Sequence, residues 1–447
     1  MALTGLDIYK LLPRTNCKKC GFPTCLAFAM ALAAKKTSLD KCPDVTEEAK
    51  QALESASEPP IRTVTVGTQE NKIEIGGETV LFRHEKTFYH PCGLGITLSD
   101  ATSPEEIDKK FSFFNQLVFD RVGQKVKVEF ITLKNDSKDT SKFISVLNKC
   151  REKSPQALLI LLSESQQTLE EALKIVGSKR PVIGPVTKEN SESLTNLAKT
   201  YNAVLMVSGV SLEETATITQ QISVNGYREI IIDLSDNSLS KTLENLTETR
   251  RMSLKKNFRP LGYPTIVFTS GENLYEHLCF ASTAISKYAS VVILPEPEPW
   301  LFLSLVTLRQ NIYTDPQKPV TVEPKLYTIG GQPSDKSPVM VTTNFSLTYF
   351  TVEPEIINSK IPSWLLVVDT DGLSVLTAWA AEKFTPEKIV EAMKKFNLEG
   401  NVSHRKLIIP GYVAVMSGKL NELSGWDIIV GPKEASGIPK FLRSMWQ

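Results

Sequence analysis

Four cysteines occupy the first 42 residues in the spacing Cys17-x2-Cys20-x4-Cys25-x16-Cys42, and Pro43 follows the last of them. The 447-residue chain holds only seven cysteines, so four of them at one end form a meaningful group. Four thiolates that converge on one point make a metal or cluster site, and a proline directly after the last cysteine is typical of iron–sulfur ligation. The spacing therefore favours an iron–sulfur cluster near the N-terminus.

Two other chemistries stay open for these cysteines. Zinc sites usually combine two short Cys-x2-Cys units, and Cys17 with Cys20 is the single unit of that kind here. Oxidised or purely structural cysteines are the other alternative. Disulfides are disfavoured because the cysteine total is odd, no signal peptide is recognisable and disulfides form mainly in oxidising compartments.

The residues around the cysteines predict a compact head followed by a connection. Four leucine and isoleucine side chains before Cys17 would share one helix face, and an alanine-rich helix over residues 27–36 returns the chain toward Cys42. Between these helices, Gly21 and Pro23 permit a tight turn. Residues 44–60 are polar and end in two prolines, which is typical of an exposed connection.

Composition limits the class of protein. The length implies two to four domains, and 41% hydrophobic with 23% charged residues is ordinary for a globular chain. With 51 Lys and Arg against 50 Asp and Glu, no nucleic-acid partner is indicated. No apolar run reaches the roughly 20 residues that a membrane helix needs, so we expect a cytoplasmic protein without a membrane partner. Four histidines argue against histidine-rich metal chemistry.

Residues 62–325 alternate between short, β-branched apolar runs and amphipathic helices. Buried strands that alternate with helices predict a parallel sheet covered by helices, and eight such units predict a closed (β/α)8 TIM barrel, with a doubly wound sheet as the alternative. The strand runs are residues 91–98, 126–133, 157–163, 181–187, 203–208, 229–234, 264–269 and 290–295. The clearest helix patterns are residues 105–121, 169–176, 191–201 and 212–224.

The last block predicts a small Rossmann-like α/β domain. Its strand runs are residues 339–343, 364–368, 407–409 and 428–430, and its helix patterns are 373–383, 386–396 and 440–446. No G-x-G-x-x-G follows a strand, and neither a P-loop, G-x-S-x-G nor H-E-x-x-H occurs. The predicted domains are therefore a cysteine-rich head with its linker (1–60), a barrel (61–325) and an α/β domain (326–447).

The barrel offers few catalytic candidates at its strand ends. Polar side chains there form no evident group of acid, base and nucleophile, and His90 with Cys92 fits a buried cysteine beside a glycine turn better than a reactive pair. The polar candidates are Asp233, Ser235, Ser270, Glu272, Asn273, Glu296 and Glu298. A barrel enzyme needs its site at these ends, so we interpret the barrel as a scaffold.

Small and hydroxyl-bearing residues follow all four strands of the last block, in segments 342–344, 370–377, 410–412 and 431–439. Few of them are charged. Glycines let a backbone approach a ring face, while N–H groups and hydroxyls can bond carboxamides. The four loops therefore suit a large, flat, mostly neutral ligand with an amide fringe, although such residues are also ordinary at strand ends.

Several segments resemble one known family over the whole length of the chain. They are NCKKCGFPTCLAFAMALA with KCPD in the head, and TTNFSLTYFTVEPEI with VVDTDGLSVLTAWAAEKF in the last block. These resemble the large (gamma) subunits of the corrinoid iron-sulfur proteins, which include the gamma subunits of acetyl-CoA decarbonylase/synthase complexes. The resemblance implies a [4Fe-4S] head, a barrel, a corrinoid-binding C-terminal domain and a heterodimer with a small (delta) subunit.

The resemblance also implies a function and a set of site residues. In that family a cobalt corrinoid accepts a methyl group from methyltetrahydrofolate through a separate methyltransferase and delivers it to acetyl-CoA synthase, in carbon fixation by the reductive acetyl-CoA pathway. The cluster reactivates oxidised cobalt, and the protein is a methyl carrier with no catalytic residue of its own. Cys17, Cys20, Cys25 and Cys42 fall on the cluster ligands.

The corrinoid-binding positions implied by the resemblance lie in the four loops. They are Thr342, Thr343, Asn344, Phe345 and Ser346; Thr370, Asp371, Gly372, Leu373, Ser374 and Thr377; Pro410, Gly411 and Tyr412; and Gly431, Pro432, Ala435, Ser436, Gly437, Ile438 and Pro439.

One motif of many cobalamin proteins is absent. The sequence contains no D-x-H-x-x-G, whose histidine ligates cobalt from below, and His404 is the single histidine after residue 300. We interpret His404, within VSHRK, as part of an exposed basic stretch. The lower cobalt position is then expected to be empty or to hold water, which favours the four-coordinate Co(I) form.

Two further interpretations compete with the methyl carrier. One is an iron-sulfur electron-transfer oxidoreductase with its active site at the barrel strand ends, for which Asp233 or Glu272 would be essential. The other is a scaffold whose metal, zinc, only folds the head.

Overall fold

The computed structural model describes residues 5–33, 37, 39–46, 59–68, 71–315 and 319–446. The chain divides into two compact units, Met1–Leu117 with Lys127–Tyr313, and Val118–Val126 with Thr314–Gln447. The sequence-based domain boundaries stay predictions. Most of the predicted connection, residues 47–58, lies outside the described residues. So does Leu3, one of the four apolar residues predicted to share a helix face before Cys17.

The described part of the head consists of two short helices and one 3-10 turn. Helix α1 is Gly5–Leu11, helix α2 is Cys25–Ala33, and Leu39–Lys41 form a 3-10 turn before the last cysteine. Ile8, Phe28 and Ala29 are buried between the two helices. The predicted alanine-rich helix is therefore present as α2, although residues 34–36 lie outside the described residues.

Twelve strands and eight helices follow among the described residues up to Tyr313. The strands are β1 (Val64–Thr68), β2 (Asn71–Ile75), β3 (Gly93–Ser99), β4 (Val118–Arg121), β5 (Gln124–Lys127), β6 (Phe130–Lys134), β7 (Leu158–Leu162), β8 (Val182–Val186), β9 (Val204–Val207), β10 (Ile230–Asp233), β11 (Thr265–Phe268) and β12 (Val291–Leu294). The helices are α3 (Pro104–Asn115), α4 (Thr140–Lys153), α5 (Gln166–Val176), α6 (Ser191–Tyr201), α7 (Leu212–Val224), α8 (Leu239–Lys255), α9 (Leu274–Ser286) and α10 (Pro299–Tyr313).

Eight of these strands close into a parallel barrel in the order β3-β6-β7-β8-β9-β10-β11-β12, and β12 pairs with β3. The predicted (β/α)8 barrel is confirmed, and the eight apolar runs are its strands. Phe130 fills the barrel interior beside β3, where a Cβ on Gly93 or Gly95 would lie 2.5 Å from Phe130 atoms. Glycine at these two positions therefore allows the phenyl ring to enter.

The predicted helix over residues 105–121 is wrong for its last six residues, 116–121. Helix α3 ends at Asn115, and β4 and β5 form a two-stranded hairpin that belongs to the second unit. Val122 and Gly123 turn the hairpin with φ values of 49° and 70°. A turn with both central residues left-handed fits the twist of a hairpin, so the strand pairing overrides the helical pattern.

The second unit contains a five-stranded sheet in the order β13-β15-β14-β16-β17, in which β13 alone is antiparallel to its neighbour. The strands are β13 (Leu326–Ile329), β14 (Val339–Thr343), β15 (Ser363–Val368), β16 (Lys406–Ile409) and β17 (Asp427–Val430). The helices are α11 (Ser346–Ser359), α12 (Val375–Ala380), α13 (Pro386–Lys395), α14 (Leu398–Asn401), α15 (Ser417–Ser424) and α16 (Ile438–Met445).

Helices cover both faces of this sheet, which confirms the predicted α/β domain. Ile356 of α11 and Leu442 of α16 pack with Leu365 on one face, while Phe384 and Leu420 pack on the other. The sequence analysis identified the four parallel strands but neither β13 nor α11. Among the described residues, no helix is both long enough and apolar enough to cross a bilayer.

Candidate functional sites

The cysteine-rich loop leads from α1 into α2. Cys17 is exposed, Cys20 is partly buried, and Cys25 and Cys42 are buried. Cys25 is the first residue of α2. Cys42 follows the turn at Leu39, whose carbonyl accepts a hydrogen bond from the Cys42 N–H at 3.0 Å.

Asn16 holds this loop against the start of α2. Its side-chain oxygen accepts a hydrogen bond from the Cys25 N–H at 2.8 Å, and its own N–H donates to the Cys25 sulfur at 3.3 Å. The backbone is left-handed at every second residue, with φ of 57° at Arg14, 49° at Asn16 and 59° at Lys18. The segment therefore forms neither helix nor strand, and an N–H of the loop already donates to a cysteine sulfur.

The four sulfurs influence one another electrostatically. Burial raises the pKa of the Cys42 thiol, a hydrogen bond with the Asp44 backbone opposes this, and the charges of Cys20, Cys17 and Cys25 raise it further. In the described residues, three His, Cys, Asp or Glu side chains do not come together closely enough to hold one metal ion. Bonding of all four thiolates to iron would remove the repulsion between them, so the donor set fits a thiolate-ligated cluster.

A cavity of about 380 Å³ opens at the carboxyl ends of the parallel strands in the second unit. Its floor is largely apolar, and hydroxyl-bearing residues lie among the apolar ones. The lining residues are Met340, Val341, Thr342, Leu347, Thr348, Thr351, Val352, Leu365, Ser374, Val375, Leu376, Ile408, Ile409, Pro410, Tyr412, Gly431, Pro432, Lys433, Ala435, Ile438 and Phe441. The carboxyl ends of all four parallel strands, or the segments that follow them, thus meet at one cavity.

Hydroxyl groups without partners lie at this edge of the sheet. The side-chain oxygens of Thr342, Thr343 and Ser346 are buried and make no hydrogen bond to any described residue, and Thr342 lines the cavity. Buried polar groups are normally paired, so unpaired ones mark a place where a ligand or water completes the bonding. The end of β14 therefore fits a ligand with an amide fringe.

Asn344 ties the first two loops together. Its side-chain oxygen accepts hydrogen bonds from the Thr370 N–H and hydroxyl and from the Gly372 N–H, and its amide nitrogen donates to Asp369 at 3.0 Å. The hydrogen bond from Lys383 holds the pKa of Asp371 below its usual range. Asn344 and Thr370 thus position the loops and do not themselves line the cavity.

The third and fourth loops touch backbone to backbone. A Cβ on Gly411 would lie 2.5 Å from the Gly431 carbonyl oxygen and 2.9 Å from the Lys433 nitrogen. The Tyr412 hydroxyl donates a hydrogen bond to the Glu434 carboxylate. This close approach brings both loops to the cavity.

The predicted binding residues divide into two groups. Those that line the cavity are Thr342, Ser374, Pro410, Tyr412, Gly431, Pro432, Ala435 and Ile438. Those of the same loops that do not line it are Thr343, Asn344, Phe345, Ser346, Thr370, Asp371, Gly372, Leu373, Thr377, Gly411, Ser436, Gly437 and Pro439. Which of them touch a ligand stays a prediction.

Part of the lining was absent from the sequence analysis. One group comes from α11 (Leu347, Thr348, Thr351 and Val352), and another from α16 and the preceding loop (Phe441 and Lys433). Apolar side chains at these positions have the periodicity of an ordinary core face, so the sequence carries no signal that separates the two roles. Lys433 lies within the predicted loop 431–439 but was not among the binding positions named for that loop.

Hydrogen bonds or an ion pair engage Asp233, Ser235 and Glu296 among the barrel candidates. Burial raises the pKa of the Asp233 carboxyl, and hydrogen bonds from the Ser235 hydroxyl and N–H and from the Ser208 hydroxyl oppose this. Glu296 pairs with Lys110 at 2.8 Å. Cys92 is fully buried and burial raises the pKa of its thiol, while His90 contacts the Gly76 carbonyl at 2.8 Å.

His404 lies at the opposite end of β16 from the cavity. Its Nε2 lies 2.9 Å from the Ser337 carbonyl oxygen, and its Nδ1 accepts a hydrogen bond from the Lys406 N–H at 3.2 Å. Both contacts are made when Nε2 carries a proton and Nδ1 does not. The ring also packs edge-on against Trp446, with 5.0 Å between ring centroids. Both nitrogens are engaged, so His404 is not free to ligate a metal.

Two family models and several known proteins are similar to this chain, and together they cover nearly all of it. The family model described as CO dehydrogenase/acetyl-CoA synthase delta subunit matches residues 63–442, and a second model, described as a proposed Fe-S cluster, matches residues 12–43. The corrinoid/iron-sulfur protein large subunit of Moorella thermoacetica is 46% identical over 444 residues, which cover 99% of each chain.

Two archaeal proteins are similar as well. The acetyl-CoA decarbonylase/synthase complex subunit gamma of Methanocaldococcus jannaschii is 32% identical over 99% of this chain and 96% of its own length. The same subunit of Methanothermobacter thermautotrophicus is 32% identical over 99% of both chains. The chain therefore belongs to the CO dehydrogenase/acetyl-CoA synthase family that contains the corrinoid/iron-sulfur protein large subunit and these gamma subunits.

Proposed function

We propose that this protein is a corrinoid- and [4Fe-4S]-dependent methyl carrier. When bound, the corrinoid supplies a cobalt centre that takes a methyl group from methyltetrahydrofolate through a methyltransferase and gives it to acetyl-CoA synthase, while the cluster supplies the electron that restores oxidised cobalt. The observation that carries the proposal is the cavity at the carboxyl ends of the parallel strands, whose lining includes Thr342, a residue with a buried hydroxyl that has no hydrogen-bond partner among the described residues. A cysteine-rich loop of the family type occurs in the same chain.

The protein's own residues hold the two groups. Cys17, Cys20, Cys25 and Cys42 would ligate the cluster, with Asn16 fixing the loop around Cys25. In the second unit, the loop backbones and hydroxyls would bond the amide fringe of the corrinoid, while the apolar floor excludes water.

The residues that line the cavity would offer no imidazole ligand to the cobalt of a bound corrinoid. No histidine is among the described residues that line the cavity, and His404 is held by Ser337 and Lys406. A cobalt centre without an imidazole ligand would be easier to reduce. This arrangement supports a carrier that must return repeatedly to its reduced state.

The proposal includes partners and a compartment. We expect a small (delta) subunit, because similar proteins are named large subunits or gamma subunits of a complex. The methyltransferase and acetyl-CoA synthase would approach the second unit in turn. The cytoplasm is the expected compartment, since it offers the reducing conditions that the thiolate ligands need.

Anaerobic purification followed by metal analysis and a visible spectrum tests this function. We expect about four iron atoms per chain and one cobalt after incubation with corrinoid. A Cys42→Ala variant should lose iron and the reductive reactivation of cobalt, while methyl transfer from chemically reduced cobalt continues. Zinc without cobalt would contradict the proposal, as would equal loss of both activities in the variant.

A further inference from the structure

The loop that carries Cys17 is an exposed, basic surface. Residues 14–19 are all exposed, and Lys41, beside the last cysteine, is exposed too. We use the term basic collar for Arg14, Lys18, Lys19 and Lys41. An electron can enter a buried cluster only where its edge comes near the surface, and among the four cysteines Cys17 is the exposed one.

The head concentrates positive charge in a nearly neutral chain. Residues 1–46 contain seven Lys and Arg against three Asp, a net charge of +4, whereas the whole chain has a net charge of +1. The remainder of the chain is therefore slightly acidic. A local excess of one sign on a small surface attracts a partner of the opposite sign and raises its association rate.

Contacts within the described residues neutralise only part of the collar. Lys19 pairs with Asp44 at 3.1 Å, and the Arg14 guanidinium bonds the Lys10 carbonyl at 3.0 Å and lies over the Tyr9 ring. Lys18 and Lys41 contact no acidic side chain among the described residues. Among the described residues, the ammonium groups of Lys18 and Lys41, next to Cys17 and Cys42 in the chain, therefore have no acidic partner, and the carbonyl partners of Arg14 leave its charge uncompensated.

We infer that the basic collar is the docking surface for an acidic, one-electron donor protein. In the docked complex one electron passes from the reduced iron centre of the donor to the cluster, so the donor is oxidised by one electron and the cluster is reduced by one. No bond forms or breaks. The inference rests on the proposed function, because it assigns the route by which the cluster is reduced.

The test uses the full chain with its cluster and a purified acidic bacterial-type ferredoxin as the donor. The Lys18→Glu/Lys41→Glu double variant reverses two collar charges. Lys142→Glu/Lys188→Glu is the matched control, since it makes the same change in net charge at two exposed barrel positions. Stopped-flow bleaching of the cluster gives the reduction rate, and calorimetry with oxidised ferredoxin gives the affinity without electron transfer.

At low ionic strength, we expect the collar variant to lose about tenfold in both second-order rate and affinity. The loss should disappear at high salt, because screening removes the attraction. The control should change by less than about twofold. Dithionite should reduce the cluster of all three proteins to the same extent, which shows that the cluster is intact.

Two results would overturn the inference. The first is a collar variant that keeps the wild-type rate and affinity for ferredoxin. The second is equal binding of ferredoxin and a DNA duplex by the wild-type chain, which would make the collar a general polyanion surface. A preparation without iron would instead refute the proposed function, and metal analysis distinguishes that failure from the other two.

Discussion

The side-chain oxygen of Asn344 accepts hydrogen bonds from both the backbone N–H and the hydroxyl group of Thr370, each at 3.0 Å. The Gly372 N–H donates to the same oxygen at 3.1 Å. Asn344 is buried at 3% exposure and Thr370 is fully buried, so water cannot replace this oxygen. One side chain therefore fixes the loops that follow β14 and β15.

Replacing Asn344 with alanine should destabilise the second unit by about 2–4 kcal/mol, because buried donors lose their acceptor. The affinity for corrinoid should fall with it, as the two loops separate. Unfolding in urea can be followed by tryptophan fluorescence, since four of the five tryptophans lie after residue 360. Asn401→Ala is the control on a partly exposed asparagine, and equal loss in both variants would refute the special role of Asn344.

Alanine substitutions at Gly411 and Gly418 test whether the close contact between the third and fourth loops matters for binding. A methyl group on Gly411 would press on the Gly431 carbonyl oxygen at 2.5 Å, whereas one on Gly418, in α15, meets nothing within 4 Å. Gly411→Ala should therefore push the loops apart at a cost of about 1–3 kcal/mol and weaken corrinoid binding about tenfold.

The Gly418→Ala control should be neutral or stabilise the protein by about 0.4–1 kcal/mol, since it reduces the freedom of the unfolded chain. Equilibrium dialysis with cobalt analysis measures the binding of both variants. If Gly411→Ala bound corrinoid as tightly as Gly418→Ala, the contact between the loops would be irrelevant to the cavity.

The buried strands were predictable because their apolar, β-branched runs have no other plausible place than a covered parallel sheet. The hairpin of β4 and β5 was not, because Val118 continues the pattern of α3 and only Gly123 marks the turn. Helix α11 was missed since Pro354 interrupts it, and proline removes a helical hydrogen bond. Small-residue loops located the cavity, yet Leu347 and Phe441 in its lining look like core residues in sequence.

The Asp233 carboxyl gives the barrel a specific pH dependence. Burial raises its pKa above the unfolded value of about 3.9, so the folded protein holds a proton in the range between the two values. Proton binding by Asp233 stabilises the folded protein fully at a pH below the pKa of the unfolded chain. This stabilisation is lost as the pH rises through the pKa of Asp233 in the folded protein. Asp233→Asn removes that loss, because an uncharged amide keeps an acceptor for Ser235.

The melting temperature of Asp233→Asn, relative to the wild type, should therefore increase as pH rises from about 4 toward neutrality. Iron loading, ferredoxin-dependent reduction and corrinoid binding should be unchanged, because the methyl carrier uses the barrel as a scaffold. A folded Asp233→Asn protein without electron-transfer activity would instead favour an oxidoreductase with its active site at the barrel strand ends.

We predict that Lys433, in the fourth loop, contacts the phosphodiester in the nucleotide tail of a corrinoid. Among the described residues that line the cavity it carries the single charge, and its ammonium group contacts no described partner. Complete cobamides have one phosphodiester in their nucleotide tail, which cobinamide lacks. Lys433→Gln should therefore weaken cobalamin binding by about 1 kcal/mol, or roughly fivefold, and leave cobinamide binding unchanged.

Equilibrium dialysis of both corrinoids against the wild type, Lys433→Gln and Lys440→Gln separates the contributions to this affinity. Lys440 lies on α16 outside the cavity lining and serves as the control for a lost surface charge. Raising the salt concentration should reduce the cobalamin preference of the wild type and not that of Lys433→Gln, since only the former has the ion pair to screen. Equal weakening of both corrinoids in Lys433→Gln would show that Lys433 acts through the shape of its loop and meets no phosphate.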